Sequence, residues 1–120
     1  MISQREADLG VLIAIYTRSD DRESARQVHR VRNRLTAGGY MTVQQFEAAI
    51  DKLQRLRMIE LEDKGDARFV EASSHGATWL MTNFHWVRGD TATLAPNRED
   101  WTMTAPKRRS LLGTIFGTNR

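Results

Sequence analysis

The stretch Thr42–Val70, TVQQFEAAIDKLQRLRMIELEDKGDARFV, constrains the fold more than any other part of the chain. Thr42 and Gln45 stand three residues apart, the spacing of a capping box in which each side chain satisfies the other residue's backbone N–H. Met41 and Phe46 occupy the two positions of a hydrophobic staple across the same helix start. Val43, Phe46, Ile50, Leu53 and Leu56 then recur at helical spacing and define an inward stripe. Gln44, Ala48, Asp51, Lys52 and Arg55 form the outward ridge, flanked by Gln45 and Glu47. Beyond it, Ile59-Glu60-Leu61-Glu62 and Ala67-Arg68-Phe69-Val70 have strand-like composition around Asp63-Lys64-Gly65-Asp66, a glycine-containing loop of hairpin length. A capped helix running straight into a charged-tip hairpin must lay its apolar side on something else, and two further helical patterns precede it.

The first of these starts near Ser3, where Ser3 and Glu6 have capping-box spacing. Leu9, Leu12, Ile13 and Tyr16 follow at helical intervals, widened by Val11 and Ile15, so this helix is expected to be largely buried and to end around Thr17 to Ser19. The second is expected from Asp20 or Asp21, with Asp20 and Glu23 repeating the capping logic and Ala25, Val28, Val31 and Leu35 as its apolar stripe. Its remaining surface carries Arg22, Arg26, Arg30, Arg32 and Arg34 with His29, against the single acid Glu23. Arg22, Arg26, Arg30 and Arg34 stand four apart, where like charges on a helix repel by a few tenths of a kcal/mol per pair. Such a face suits an anionic partner, or a solvated surface whose arginines pair with acids elsewhere in the fold. Gly38-Gly39 marks the turn that follows.

Charge and composition bound the function. Of the 18 basic residues, 15 are arginine, and the net charge is +3. Arginine forks match phosphate and carboxylate oxygens two at a time, although an arginine-favouring codon usage explains the bias as well. Without cysteine there is no disulfide, thiolate metal site or cysteine nucleophile. His29, His75 and His85 have no ligand-like spacing, and no glycine-rich phosphate loop or G-x-S-x-G elbow occurs. The expectation is a binding protein and not an enzyme, with no metal and no cofactor. MISQREADLG lacks the features of a signal peptide, and no run approaches the ~20 apolar residues of a membrane helix. A cytoplasmic protein with no membrane partner is expected.

After the hairpin, Ser74 is placed to cap a short helix over Gly76–Asn83 that carries Trp79 and Leu80. Residues 84–106 then change character, from the aromatic Phe84-His85-Trp86-Val87 to the loop-like TATLAPNREDW. Phe84, Trp86 and Trp101 are expected either to lie over the core or to form a subunit contact. The end of the chain pairs the basic Lys107-Arg108-Arg109 with the apolar Leu111, Leu112, Ile115 and Phe116.

From Leu9 to about Met81, the pattern VLIAIY, then FEAAIDKLQRLRMIELED, then EASSHGATWL resembles the winged-helix superfamily of bacterial regulators. The last piece resembles the segment after the wing in MarR-like and PadR-like proteins. Arg57-Met58-Ile59 stands where such proteins usually carry glycine ahead of the first wing strand. The resemblance implies a mainly α fold with a small β-hairpin (α+β): three helices plus a wing, and a short helix after it. It divides the chain into a domain over 1–83 and a C-terminal extension over 84–120. It also implies duplex DNA binding by a homodimer, the third helix entering the major groove. On this reading Arg22, Arg26, Arg30 and Arg34 with Lys64 and Arg68 serve the phosphate backbone, and Gln44, Gln45, Ala48, Lys52 and Arg55 face the groove. The competing expectation is a protein-interaction module whose arginine-rich second helix docks an acidic partner.

Overall fold

Hydroxyl caps set where three of the helices begin. The structure, a computed structural model, describes residues 2–17, 26–87 and 93–106. Ser3 caps α1 (Gln4–Thr17): Glu6 N donates to Ser3 Oγ at 3.1 Å, and Ser3 N to Glu6 Oε1 at 3.3 Å. Thr42 caps α3 (Val43–Arg55), with Gln45 N donating to Thr42 Oγ1 and Thr42 N to Gln45 Oε1, both at 3.0 Å. Met41 and Phe46 are buried behind that cap. The last of the three, α4 (Ser74–Asn83), is capped by Ser73 in place of the expected Ser74. Ser73 wins because its hydroxyl both accepts from Gly76 N at 3.0 Å and donates to Arg57 O at 2.6 Å, tying the new helix to the end of α3.

The second helix departs furthest from expectation. α2 spans only Val28–Ala37, and Gln27 before it is extended (φ −68°, ψ 135°) with no side-chain cap. Gln27 forms an antiparallel bridge to Phe69, so its backbone is spent on the hairpin and cannot continue a helix. A helix unbroken from Asp20 or Asp21 to Leu35 is thereby excluded, while the proposed caps at Asp20 and Glu23 lie outside the described residues. Arg26 precedes the helix, and of the four-apart ladder only Arg30 and Arg34 share α2. The turn to α3 places Gly39 at φ 80°, a left-handed conformation that glycine adopts without a Cβ penalty.

α3 ends in a Schellman motif: Met58 N donates to Leu53 O at 2.8 Å and Arg57 N to Gln54 O at 3.0 Å. Leu53 and Met58, the residues whose contact accompanies that motif, are fully buried. The left-handed position is held by Arg57 at φ 58°, the one non-glycine residue with positive φ among those described. This is the site where the resembling family usually has glycine. Replacing Arg57 with glycine removes about 1–2 kcal/mol of backbone strain and costs roughly 0.5–1 kcal/mol in unfolded-state entropy. A net gain of up to about 1 kcal/mol in a urea titration is expected, and a loss would show that the arginine side chain stabilises the turn.

β1 (Ile59–Lys64) pairs antiparallel with β2 (Ala67–Ala72), in register from Ile59↔Ala72 to Lys64↔Ala67. Ile59 and Val70 are buried and Leu61 is half-buried against the core, so one face of the hairpin is packed and the other open. A second hairpin follows α4 where the sequence is loop-like: β3 (Phe84–Val87) pairs with β4 (Thr93–Pro96) from Phe84↔Pro96 to Val87↔Thr93.

The core gathers Val11, Leu12 and Ile15 of α1, Phe46, Ile50 and Leu53 of α3, Val31, Val70 and Leu80. Val43, expected inward, is half exposed at the lip of α3. Trp79, Phe84 and Trp101 form an aromatic triangle with ring centroids 5.9, 5.8 and 5.7 Å apart. Trp86 stays half exposed. The segment after β4 is strapped down by backbone carbonyls: Trp79 Nε1 donates to Thr102 O at 3.0 Å, and Arg5 Nη2 to Trp101 O at 2.8 Å. From residues 84–106, Phe84, Trp101 and Met103 join the core of the helices and Leu94 packs against it. No described helix is long and apolar enough to cross a membrane.

Candidate nucleic-acid interface

α2 and α3 meet through the Gly38–Thr42 turn and present adjoining polar surfaces. On α2, His29, Arg30, Asn33 and Arg34 are exposed. Neither Arg30 nor Arg34 has an acid within ion-pair distance among the described residues, while Arg32 lies 4.0 Å from Glu47 of α3. On α3, the exposed positions are Val43, Gln44, Glu47, Ala48, Asp51, Gln54 and Arg55. Gln44 and Ala48 face solvent, and Arg55 Nε donates to Asp51 Oδ2 at 3.2 Å one turn back along the same helix.

Lys52 of the expected outward ridge and Gln45 beside it turn the other way. Gln45 spends its amide on the α1 end of the molecule: its Nε2 donates to Ile2 O at 2.7 Å while its Oε1 completes the Thr42 cap. Lys52 reaches Asp8 of α1, with Nζ 3.4 Å from Oδ2, and Asp8 is only 2% exposed. Helical spacing identified these residues as polar and off the apolar stripe. It could not show that α1 carries a buried carboxylate opposite Lys52. The pairing is nonetheless consistent with the sequence, because a buried acid demands a partner.

The hairpin's basic residues are also committed. Arg68 Nε lies 2.8 Å from Asp63 Oδ1, and Lys64 lies 3.8 Å from Glu62 and 5.4 Å from the Phe69 ring. The hydrogen bond from Arg68, reinforced by its charge, holds the Asp63 carboxyl below its ordinary value and raises that of Arg68 in turn. A lowered carboxylate value means that the pair's stabilisation is present above the unfolded-state value of 3.8 and fades as pH falls through the folded one. Both groups are fully solvated, so the effect is small. Glu60 and Glu71 face each other across the strands, with Arg26 4.0 Å from Glu71. Acids outnumber bases over the whole hairpin, and the described residues as a set carry equal numbers of each. The positive excess of the chain therefore falls on residues outside the described ones, among them Arg22 and Lys107-Arg108-Arg109. Among the described residues no three His, Asp or Glu side chains converge on a metal-sized site.

Compared with known proteins, the chain matches no family model, no curated protein and no solved structure.

Proposed function

We propose that this chain is a winged-helix protein that binds duplex DNA as a homodimer, with α3 in the major groove and α2 on the phosphate backbone. The observation that carries the reading is the α2–α3 pair: two uncommitted arginines, Arg30 and Arg34, beside a polar helix face that includes Gln44, Ala48 and Arg55. The element order supports it too. A helix, a bridging strand residue at Gln27, two helices and a hairpin follow one another as in a winged helix. Gln44 can read an adenine edge, Arg55 a guanine edge through the guanidinium nitrogens that Asp51 leaves free, and Glu47 or Asp51 can accept from cytosine on giving up Arg32 or Arg55. Gln45 and Lys52 leave the base-reading set because both are held against α1 or its N-terminal flank. Lys64 and Arg68 contribute little to phosphate binding, since each is paired within an acidic hairpin. Pairing two copies doubles the DNA read by a single short helix.

The test is fluorescence anisotropy with duplex DNA, titrated across roughly 50–200 mM salt. Affinity is expected to fall with log salt by about 0.9 per phosphate contact. The double substitution Arg30→Glu with Arg34→Glu should weaken binding at least about tenfold and remove about 0.9 of slope per lost contact. No binding at the lowest salt, or no effect of the charge reversal, would sink the assignment.

A second reading is favoured by the acids Glu47 and Asp51 in the middle of the exposed α3 face. In it the winged helix is a protein-docking module, and Arg30 and Arg34 meet an acidic partner. Its signature is a 1:1 protein complex without saturable DNA binding.

A further inference from the structure

A cleft of about 340 Å³ opens between the start of α1, the third turn of α3 and the 101–103 strap, lined among others by Arg5, Asp8, Lys52, Trp101 and Met103. We propose that it binds a small organic carboxylate. The site stands on α1, α3 and the strap, and does not depend on what α2 binds.

Its electrostatics are unusual for a piece of core. Asp8 is 2% exposed, accepting from Gln4 Nε2 at 2.8 Å on one oxygen and facing Lys52 Nζ at 3.4 Å on the other. An apolar residue of similar volume commonly holds such a position at equal or lower free energy, so packing alone does not account for a buried carboxylate paired with a half-exposed lysine here. What the pair does achieve is to fix an ammonium at the mouth of a cleft. Lys52 has three donors and Asp8 engages one of them, so donors remain for a ligand.

Arg5 is held in place just as firmly. Its guanidinium carbon sits 3.7 Å from the Trp101 ring centroid, and Nη2 donates to the carbonyls of Glu99 and Trp101, both at 2.8 Å. Nε and Nη1 have no partner among the described residues. Two cations against one acid leave the cleft with a surplus positive charge and with spare capacity of the donor type. That selects an anion. A cation is disfavoured because Asp8 is almost wholly covered and both its oxygens are engaged. A carboxylate between Lys52 and Arg5 would accept from both, and a small apolar body would lie on the little of Met103 and Trp101 that reaches the cleft, 7% and 8% of their surfaces. The volume is near the lower end of ligand pockets, which restricts the occupant to a small molecule.

The experiment is a two-dimensional ¹H–¹⁵N NMR titration of the full chain with sodium butyrate at constant ionic strength, run against butylammonium chloride and sodium chloride. Saturable shifts are expected for butyrate alone, centred on the Trp101 indole N–H and on Arg5 and Lys52. Arg5→Met should weaken butyrate roughly tenfold or more, the value of one charge-assisted hydrogen bond. An absence of saturable shifts, an equal response to butylammonium, or shifts centred on the α2 arginines would overturn the proposal. These three arms use the unaltered chain, so they decide the matter even if the Arg5 variant does not fold.

Discussion

Gly76→Ala is expected to destabilise the protein by on the order of 3 kcal/mol or more, among the larger effects of any single methyl group. Gly76 is buried in the first turn of α4, and a Cβ there would run into Met58 O and stand 2.9 Å from Met58 C. Both obstacles are backbone atoms, so no side-chain rotation relieves the clash. Met58 cannot easily retreat either. Its carbonyl accepts from Ser73 N at 3.0 Å, its N–H closes the Schellman motif on Leu53 O, and its side chain is fully buried. Relief must come from moving α4 away from the root of the β1–β2 hairpin, which loosens Trp79 and Leu80 with it. At several degrees per kcal/mol for a domain of this size, the thermal midpoint should fall by roughly 10 °C or more. Gly38→Ala is the matched control: a Cβ there meets nothing within 4 Å and its φ is −84°. It should be neutral or slightly stabilising. If the two alanine variants melt together, the close approach of α4 to Met58 is not what the structure describes.

Lys52→Met should cost about 2–4 kcal/mol, somewhat below the usual 3–5 for breaking a buried pair because the lysine is itself partly solvated. The cost falls on Asp8, which would keep its hydrogen bond from Gln4 but lose its counter-charge while nearly wholly buried. Converting Asp8 to leucine in the same chain should restore most of the loss, since the charge that needed a partner is gone. Urea titrations of the single and double variants form the test, with the coupling read from the cycle. A Lys52→Met cost below about 0.5 kcal/mol, in the range of an exposed pair, would mean that Asp8 is not sequestered.

These predictions fall where the local signals of the sequence are silent. The caps at Ser3 and Thr42, the Met41–Phe46 staple, and the hairpin after α3 were all legible in the sequence, because each depends on residues within a turn or a short loop of one another. So was the inward stripe of α3, with the exception of Val43 at its first position. The second helix starts later than its local sequence favours, for a long-range reason. Asp20, Glu23 and the apolar spacing favour a helix locally, yet the backbone of Gln27 pairs with Phe69, some forty residues away. The β3–β4 hairpin is not legible locally because Phe84-His85-Trp86-Val87 is too short for a clean alternation and its partner Thr93–Pro96 lies in a loop-like sequence.

The candidate interface divides in the same way. Spacing alone determined that Arg30 and Arg34 share a helix face and that Gln44, Ala48 and Arg55 lie off the apolar stripe of α3. Only the tertiary structure decided that Lys52 and Gln45 turn toward α1, whereas Lys64 and Arg68 find their acids, Glu62 and Asp63, within the hairpin itself. The reason is physical. Periodicity reports which side of an element avoids water, a property of neighbours three or four residues apart. Which polar side chains remain free to bind something depends on the partners brought in by distant elements. The buried carboxylate of Asp8 could claim Lys52 only once α1 and α3 were packed together.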